Sequence, residues 1–154
     1  MNKLIIGFVF VLILGGAVWM VRPDASSESA NIAQEVDFDF GTISMSAGKV
    51  NHVFSVPNDG VEPLAILQMY TSCMCTTATL TVGENVFGPV GMPGHGAVPK
   101  FDAVILPGDQ GSVEVIFDPT AHGPAGVGKI SRVVTLETGD GTPIEFSFAA
   151  NVTP

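Results

Sequence analysis

Cys73 and Cys75 are the only cysteines in the chain, and one residue separates them. In extended backbone, residues two apart point to the same side, so both sulfurs would face one way with Met74 opposite. Two thiolates on one side make half of a chelate. Downstream, His95 stands in Met-Pro-Gly-His-Gly-Ala and His122 in Ala-His-Gly-Pro. The neighbouring glycines let the backbone bring each imidazole close to a shared centre. A Cys2His2 set of this kind suits Zn(II) or Cu(I), and the thioethers of Met74 and Met92 tilt the balance towards Cu(I). The spacing is not that of a zinc finger.

Two other chemistries compete with metal binding. A disulfide across Cys-x-Cys would close a small ring and staple no useful loop, so a structural bridge is a poor explanation. Such a bond would instead be labile and oxidising, the mark of a thiol–disulfide redox protein. Alternatively, the cysteines are small buried hydrophobes and the loop histidines are solvated. His52 lies on the Val50/Phe54 face of a strand, which predicts a core or edge histidine. Asp102, Asp109 and Asp118 flank turns and read as turn formers. No Ser-His-Asp order, paired catalytic carboxylates or phosphate-binding glycine loop is present, so an enzyme is not expected.

The elements that must carry these side chains follow from the remaining pattern. The chain has 154 residues, room for one domain of ordinary size. Net charge is -9, from 15 acidic and 6 basic residues, which leaves no basic footprint for nucleic acid. Residues 1–22 read as a membrane anchor: Lys3 precedes an uncharged apolar run from Leu4 to Val21, and Trp19 and Arg22 suit the interface. Those 18 positions span ~27 Å as a helix, about one hydrocarbon core, longer than the apolar region of a cleaved signal. The short N-terminus favours Met1 inside and the domain on the extracytoplasmic side. Residues 23–34 form a polar Ser/Ala-rich tether, and the folded domain occupies 35–154.

Within the domain, Val36, Phe38 and Phe40 alternate with Asp37 and Asp39, and Val50, His52, Phe54 and Val56 share one face. Leu64 to Tyr70 is mainly apolar and leads into the Cys-x-Cys segment. Further strands are expected over Thr79–Val82, Ala103–Leu106, Ser112–Asp118, Ile130–Thr138 and Pro143–Val152. The Gly/Pro-crowded stretch from Glu84 to Phe101 predicts one long loop. The pattern is that of an all-β, immunoglobulin-like sandwich of about seven strands behind one transmembrane helix.

The ordered motifs Asp-Phe-Gly-Thr-Ile, the strand from Val50 to Val56 with its turn, Pro63 to Thr76, and Leu106 to Pro119 resemble the DUF1573 family. That family resembles immunoglobulin-like domains of the ASH and PapD type and usually carries Ser-Cys-Gly-Cys-Thr where this chain has Ser72-Cys73-Met74-Cys75-Thr76. The resemblance implies fold and compartment and gives no reaction. Together, the residues predict a membrane-anchored binding domain that holds Cu(I) or Zn(II) through Cys73 and Cys75 with His95, His122 or Met92. The alternatives are a protein-interaction module docking on another envelope protein and a thiol–disulfide redox protein.

Overall fold

The computed structural model describes residues 36–95 and 98–154. The expected anchor and tether lie outside the described residues. Among the described residues, no helix is long and apolar enough to cross a membrane.

The domain is an all-β sandwich of two sheets. The first sheet has the order β1-β9-β8-β3-β6 and the second β2-β7-β4-β5. Their ranges are β1 Asp37–Ser44, β2 Val50–Pro57, β3 Leu64–Thr71, β4 Thr76–Val82, β5 Asn85–Val90, β6 Lys100–Ile105, β7 Gln110–Phe117, β8 Gly128–Thr138 and β9 Ile144–Thr153. Neighbours within each sheet run antiparallel except β1 and β9, which are parallel. Two short 3-10 turns, Met45–Ala47 and Gly123–Gly126, complete the described elements.

Alternating sequence becomes alternating burial. In β7, Gly111, Val113, Val115 and Phe117 point inward, and in β9 Phe146, Phe148, Ala150 and Val152 do so. Aromatic pairs join the two sheets across the core. Phe54 of β2 stacks on Phe146 of β9 with centroids 4.7 Å apart, and Phe117 of β7 meets Phe148 of β9 at 5.6 Å. Each fully buried ring contributes roughly 1.5–3 kcal/mol of apolar transfer, which is what keeps the sheets face to face. His52 lies in this core edge, stacked on Phe38 at 3.6 Å and edge-on to Phe54 at 4.6 Å.

The structure corrects the expectation of one long loop from Glu84 to Phe101. Asn85–Val90 pairs with β4 as an edge strand, and β6 already begins at Lys100. Pro89 is tolerated because β5 has a partner on one side only. Register shifts between Ala78 and Leu80, so Gly88 and Pro89 form a bulge opposite Thr79. Gly88 has φ +117°, and a Cβ there would meet the Ala78 carbonyl oxygen at 2.9 Å. Only glycine fits this bend, which is why a strand runs through a segment that reads as loop.

Candidate functional site

The site grows from the turn that joins β3 to β4. β3 ends at Thr71, and Ser72 through Cys75 reverse the chain into Thr76. Backbone and side-chain hydrogen bonds lock this reversal. The Thr76 N–H donates to the Cys73 carbonyl at 3.1 Å, and the buried Thr71 hydroxyl reaches the carbonyls of Cys73 and Thr76 at 2.9 and 3.1 Å. Ser72 ties the turn to β8 in both directions: its N–H donates to the Val133 carbonyl, and the Val133 N–H donates to the Ser72 hydroxyl, each at 2.9 Å.

This geometry joins the two sulfurs. Cys73 and Cys75 form a disulfide with Cα atoms 5.2 Å apart. The spacing argues against a bridge that staples a loop, because the ring is too small, and leaves a redox-type bridge among the open readings. The bond forms because the turn, fixed by Thr71 and Ser72, points both side chains into the same space. The Cys75 N–H also donates to Cys73 Sγ at 3.3 Å.

Two further loops reach the same end of the sandwich. The segment after β7 is fastened by the Asp118 N–H, which donates to the Cys75 carbonyl at 2.8 Å. It carries His122, whose Nε2 lies 3.2 Å from Cys73 Sγ. The ligand atoms of Cys73, Cys75 and His122 all lie within 4.8 Å of one another. The β5–β6 loop approaches through Gly91, whose carbonyl accepts the Thr71 N–H at 3.1 Å, so Met92 begins its course beside the cysteine turn. His95 is exposed in that loop, with its N–H donated to the Met92 carbonyl, and does not join the three-residue cluster. Met74 stands half exposed at the tip.

Two neighbours of the site are not apparent from sequence. Arg132 of β8 directs Nε to Cys75 Sγ at 3.5 Å. It reads as one more outward residue of a strand, and the only signal for it is a single base in the apolar run Ile-Ser-Arg-Val-Val-Thr-Leu. Met45 comes close through Gly126, where a Cβ would meet both the Met45 methyl and the His122 Cβ at 3.4 Å.

The electrostatics are one-sided. Asp118 holds the base of the His122 loop, and the Thr120 hydroxyl, with the Thr120 N–H and the Lys49 charge, keeps its carboxyl below the ordinary range despite partial burial. Chemically, the oxidised pair offers no thiolate, which argues against a metal site in this state. Reduction would turn the same three side chains into a candidate donor set of two soft sulfurs and one imidazole.

Residues 32–85 match the family model of DUF1573, a protein of unknown function. The DUF1573 match holds β1 to β4 and the cysteine turn, and ends before the His122 loop. No curated protein matches the sequence. Among solved structures, the chain is similar to a protein of unknown function from Porphyromonas gingivalis W83, with a TM-score of 0.57, 15% identity, and coverage of 77% of this chain and 44% of that one. It is also similar to the Vibrio cholerae VesB protease, with a TM-score of 0.52, 14% identity, and coverage of 77% and 31%. The ASH/PapD-like domain of human CEP192 aligns at a TM-score of 0.44 and 11% identity, over 77% of this chain and 82% of that one. The chain therefore spans less than half the length of the first two structures, and the likeness to them is one of fold.

Proposed function

We propose that this chain is a membrane-tethered, extracytoplasmic binding domain of immunoglobulin-like build. When its thiols are reduced, it holds a soft metal ion, Cu(I) or Zn(II), between Cys73, Cys75 and His122. One observation carries the reading: the ligand atoms of these three residues lie within 4.8 Å of one another, although His122 comes from a separate loop. Two thiolates and one imidazole form a three-ligand soft set, which suits Cu(I) directly and Zn(II) with a fourth ligand from solvent. Met92 and Met74 are candidates for a further soft contact. The domain acts by binding and not by catalysing a reaction.

The test is a competition titration of Cu(I) and Zn(II) on the full chain, reduced and kept anaerobic, against a chelator of known affinity. Tight one-to-one binding that is lost in the Cys73→Ser/Cys75→Ser variant supports the reading. Equal binding by that variant ends it.

A second reading, docking on another envelope protein, is favoured by apolar side chains on three edge strands. Val53 of β2, Val86 of β5 and Val104 of β6 are 52%, 64% and 45% exposed. Edge strands with free backbone groups and such side chains are where another chain adds by strand pairing.

A further inference from the structure

The two sulfurs of the disulfide have different surroundings. Both cysteines belong to the buried core. Cys73, 8% exposed, lies beside the exposed His122 and accepts the Cys75 N–H at Sγ, and Cys75 is 3% exposed. Cys75 Sγ receives Arg132 Nε at 3.5 Å and lies 3.7 Å from the Thr76 hydroxyl. Arg132 is partly buried and is held in place by its Nη1, which donates to the Ser131 carbonyl at 2.7 Å. Among the described residues the one ion pair is Lys49–Asp118, so no carboxylate neutralises this guanidinium. In a chain of net charge -9 with 6 bases, an unneutralised cation placed on a sulfur is a specific arrangement. A guanidinium stays charged at any working pH, and hydrogen bonds to charged groups are about twice as strong as neutral ones.

We infer that the disulfide is a directional electron acceptor, attacked at Cys73 by the thiolate of a dithiol protein while Cys75 departs as a thiolate held by Arg132. This goes beyond the metal reading and needs no ion. In the first step a bond forms between the partner sulfur and Cys73 Sγ. The Cys73–Cys75 bond breaks, and its electron pair moves to Cys75 Sγ. The partner's second thiolate then attacks its own first sulfur, closes the partner's disulfide and releases Cys73 Sγ. The two protons given up by the partner's thiols end on Cys73 and Cys75. The domain gains two electrons and two protons, and the partner loses them. Exchange of this kind is governed by access to the attacked sulfur and by the ease with which the other leaves. Cys73 is the sulfur beside the exposed His122 and is reached from that side, and Arg132 marks Cys75 as the leaving sulfur.

The experiment uses the oxidised full chain with a metal chelator present and reduced glutathione as probe. The mixture is quenched in acid at short times, alkylated and mapped by peptide mass. The expected adduct carries glutathione on Cys73 and an alkylated Cys75, in about tenfold or greater excess over the converse. Arg132→Gln is expected to slow the exchange by about tenfold, with partial rescue by Arg132→Lys. Unfolding curves confirm that each variant is folded, and the site of the adduct on the natural chain decides the matter if Arg132→Gln is not. Glutathione on Cys75, equal labelling of both cysteines, an Arg132→Gln variant that reacts at the natural rate, or a chain that carries two free thiols after air oxidation each overturns the inference. Because metal is excluded, failure here leaves the titration of the reduced chain to stand or fall separately.

Discussion

The backbone N–H of Asp118 donates to the carbonyl of Cys75 across 2.8 Å, and through that bond the loop bearing His122 is pinned to the turn bearing both sulfurs. The bond carries the β4–β7 ladder one step beyond the Thr76–Phe117 pair. It depends on the conformation of the segment that follows, which the Asp118 side chain sets by accepting from the N–H and hydroxyl of Thr120 at 2.9 and 2.6 Å.

This loop should loosen in acid. The Asp118 carboxyl titrates below its ordinary value in the folded protein, chiefly through the Thr120 hydroxyl. A depressed carboxyl contributes stability that is present above the unfolded value, near ~3.9, and that disappears as pH falls through the lower folded value. The natural chain should therefore exceed Asp118→Asn in stability at neutral pH, with the gap closing below about pH 4. Denaturant unfolding of both proteins across this range measures it. A gap that does not change with pH would contradict the assignment.

Removing the imidazole should separate the two loop histidines. His122→Ala is expected to weaken Zn(II) or Cu(I) binding by the reduced chain by at least the ~10–100-fold that even outer partners of a ligand cost. His95→Ala should leave the affinity unchanged, since His95 stands outside the cluster. His122 is exposed, so neither change should move folding stability by more than about 0.5 kcal/mol. Competition titrations run on the two variants side by side give the answer.

Reduction of the disulfide should barely affect the fold. The bond spans a sequence separation of two, and chain-entropy arithmetic for so small a ring gives roughly 1.5 kcal/mol or less. The turn keeps its shape through Thr71 and Ser72 instead. Thr71→Val, which removes the buried hydroxyl shared between the Cys73 and Thr76 carbonyls, should cost about 1–3 kcal/mol. Unfolding of the oxidised chain, the reduced chain and Thr71→Val ranks the three. A large loss on reduction with little loss in Thr71→Val would reverse the account.

Gly88→Ala should release the edge of the second sheet. The new methyl would press on the Ala78 carbonyl in a backbone conformation that L residues rarely adopt, at a cost of about 1–3 kcal/mol. Amide exchange should quicken in Asn85–Val90 and leave β7 protected.

Much of the fold could be read from residue alternation. Period two marks β1, β2, β7 and β9 because each buries one face against the opposite sheet. β5 escapes that signal because Gly88 and Pro89 break the alternation at a bulge, which needs an edge position that only sheet order reveals. The cysteine pair and His122 are visible as residue types. Their meeting is not, because it depends on the pairing of β4 with β7, which the Asp118–Cys75 backbone bond extends into the loop. Arg132 is hidden more deeply, since a base on a strand looks like a solvated side chain until the turn of another strand is laid beside it. His95 has the same glycine-flanked look as His122 but sits in a loop attached to the site at Gly91, short of the histidine itself.

The parallel pairing of β1 with β9 sets the order in which the domain can be completed during synthesis. β1 has β9 as its one sheet neighbour, and the Ser44 hydroxyl donates to the Pro154 carbonyl 110 positions away. As the polypeptide emerges, Phe38 and Phe40 come out early and must wait for the ninth strand before their sheet can close. The same late strand supplies Phe146 and Phe148, the partners that Phe54 and Phe117 need. The nascent chain thus keeps β1 without its sheet neighbour until β9 is made, and a ribosome stalled before residue 144 would hold a first strand with no hydrogen-bonded partner in its sheet.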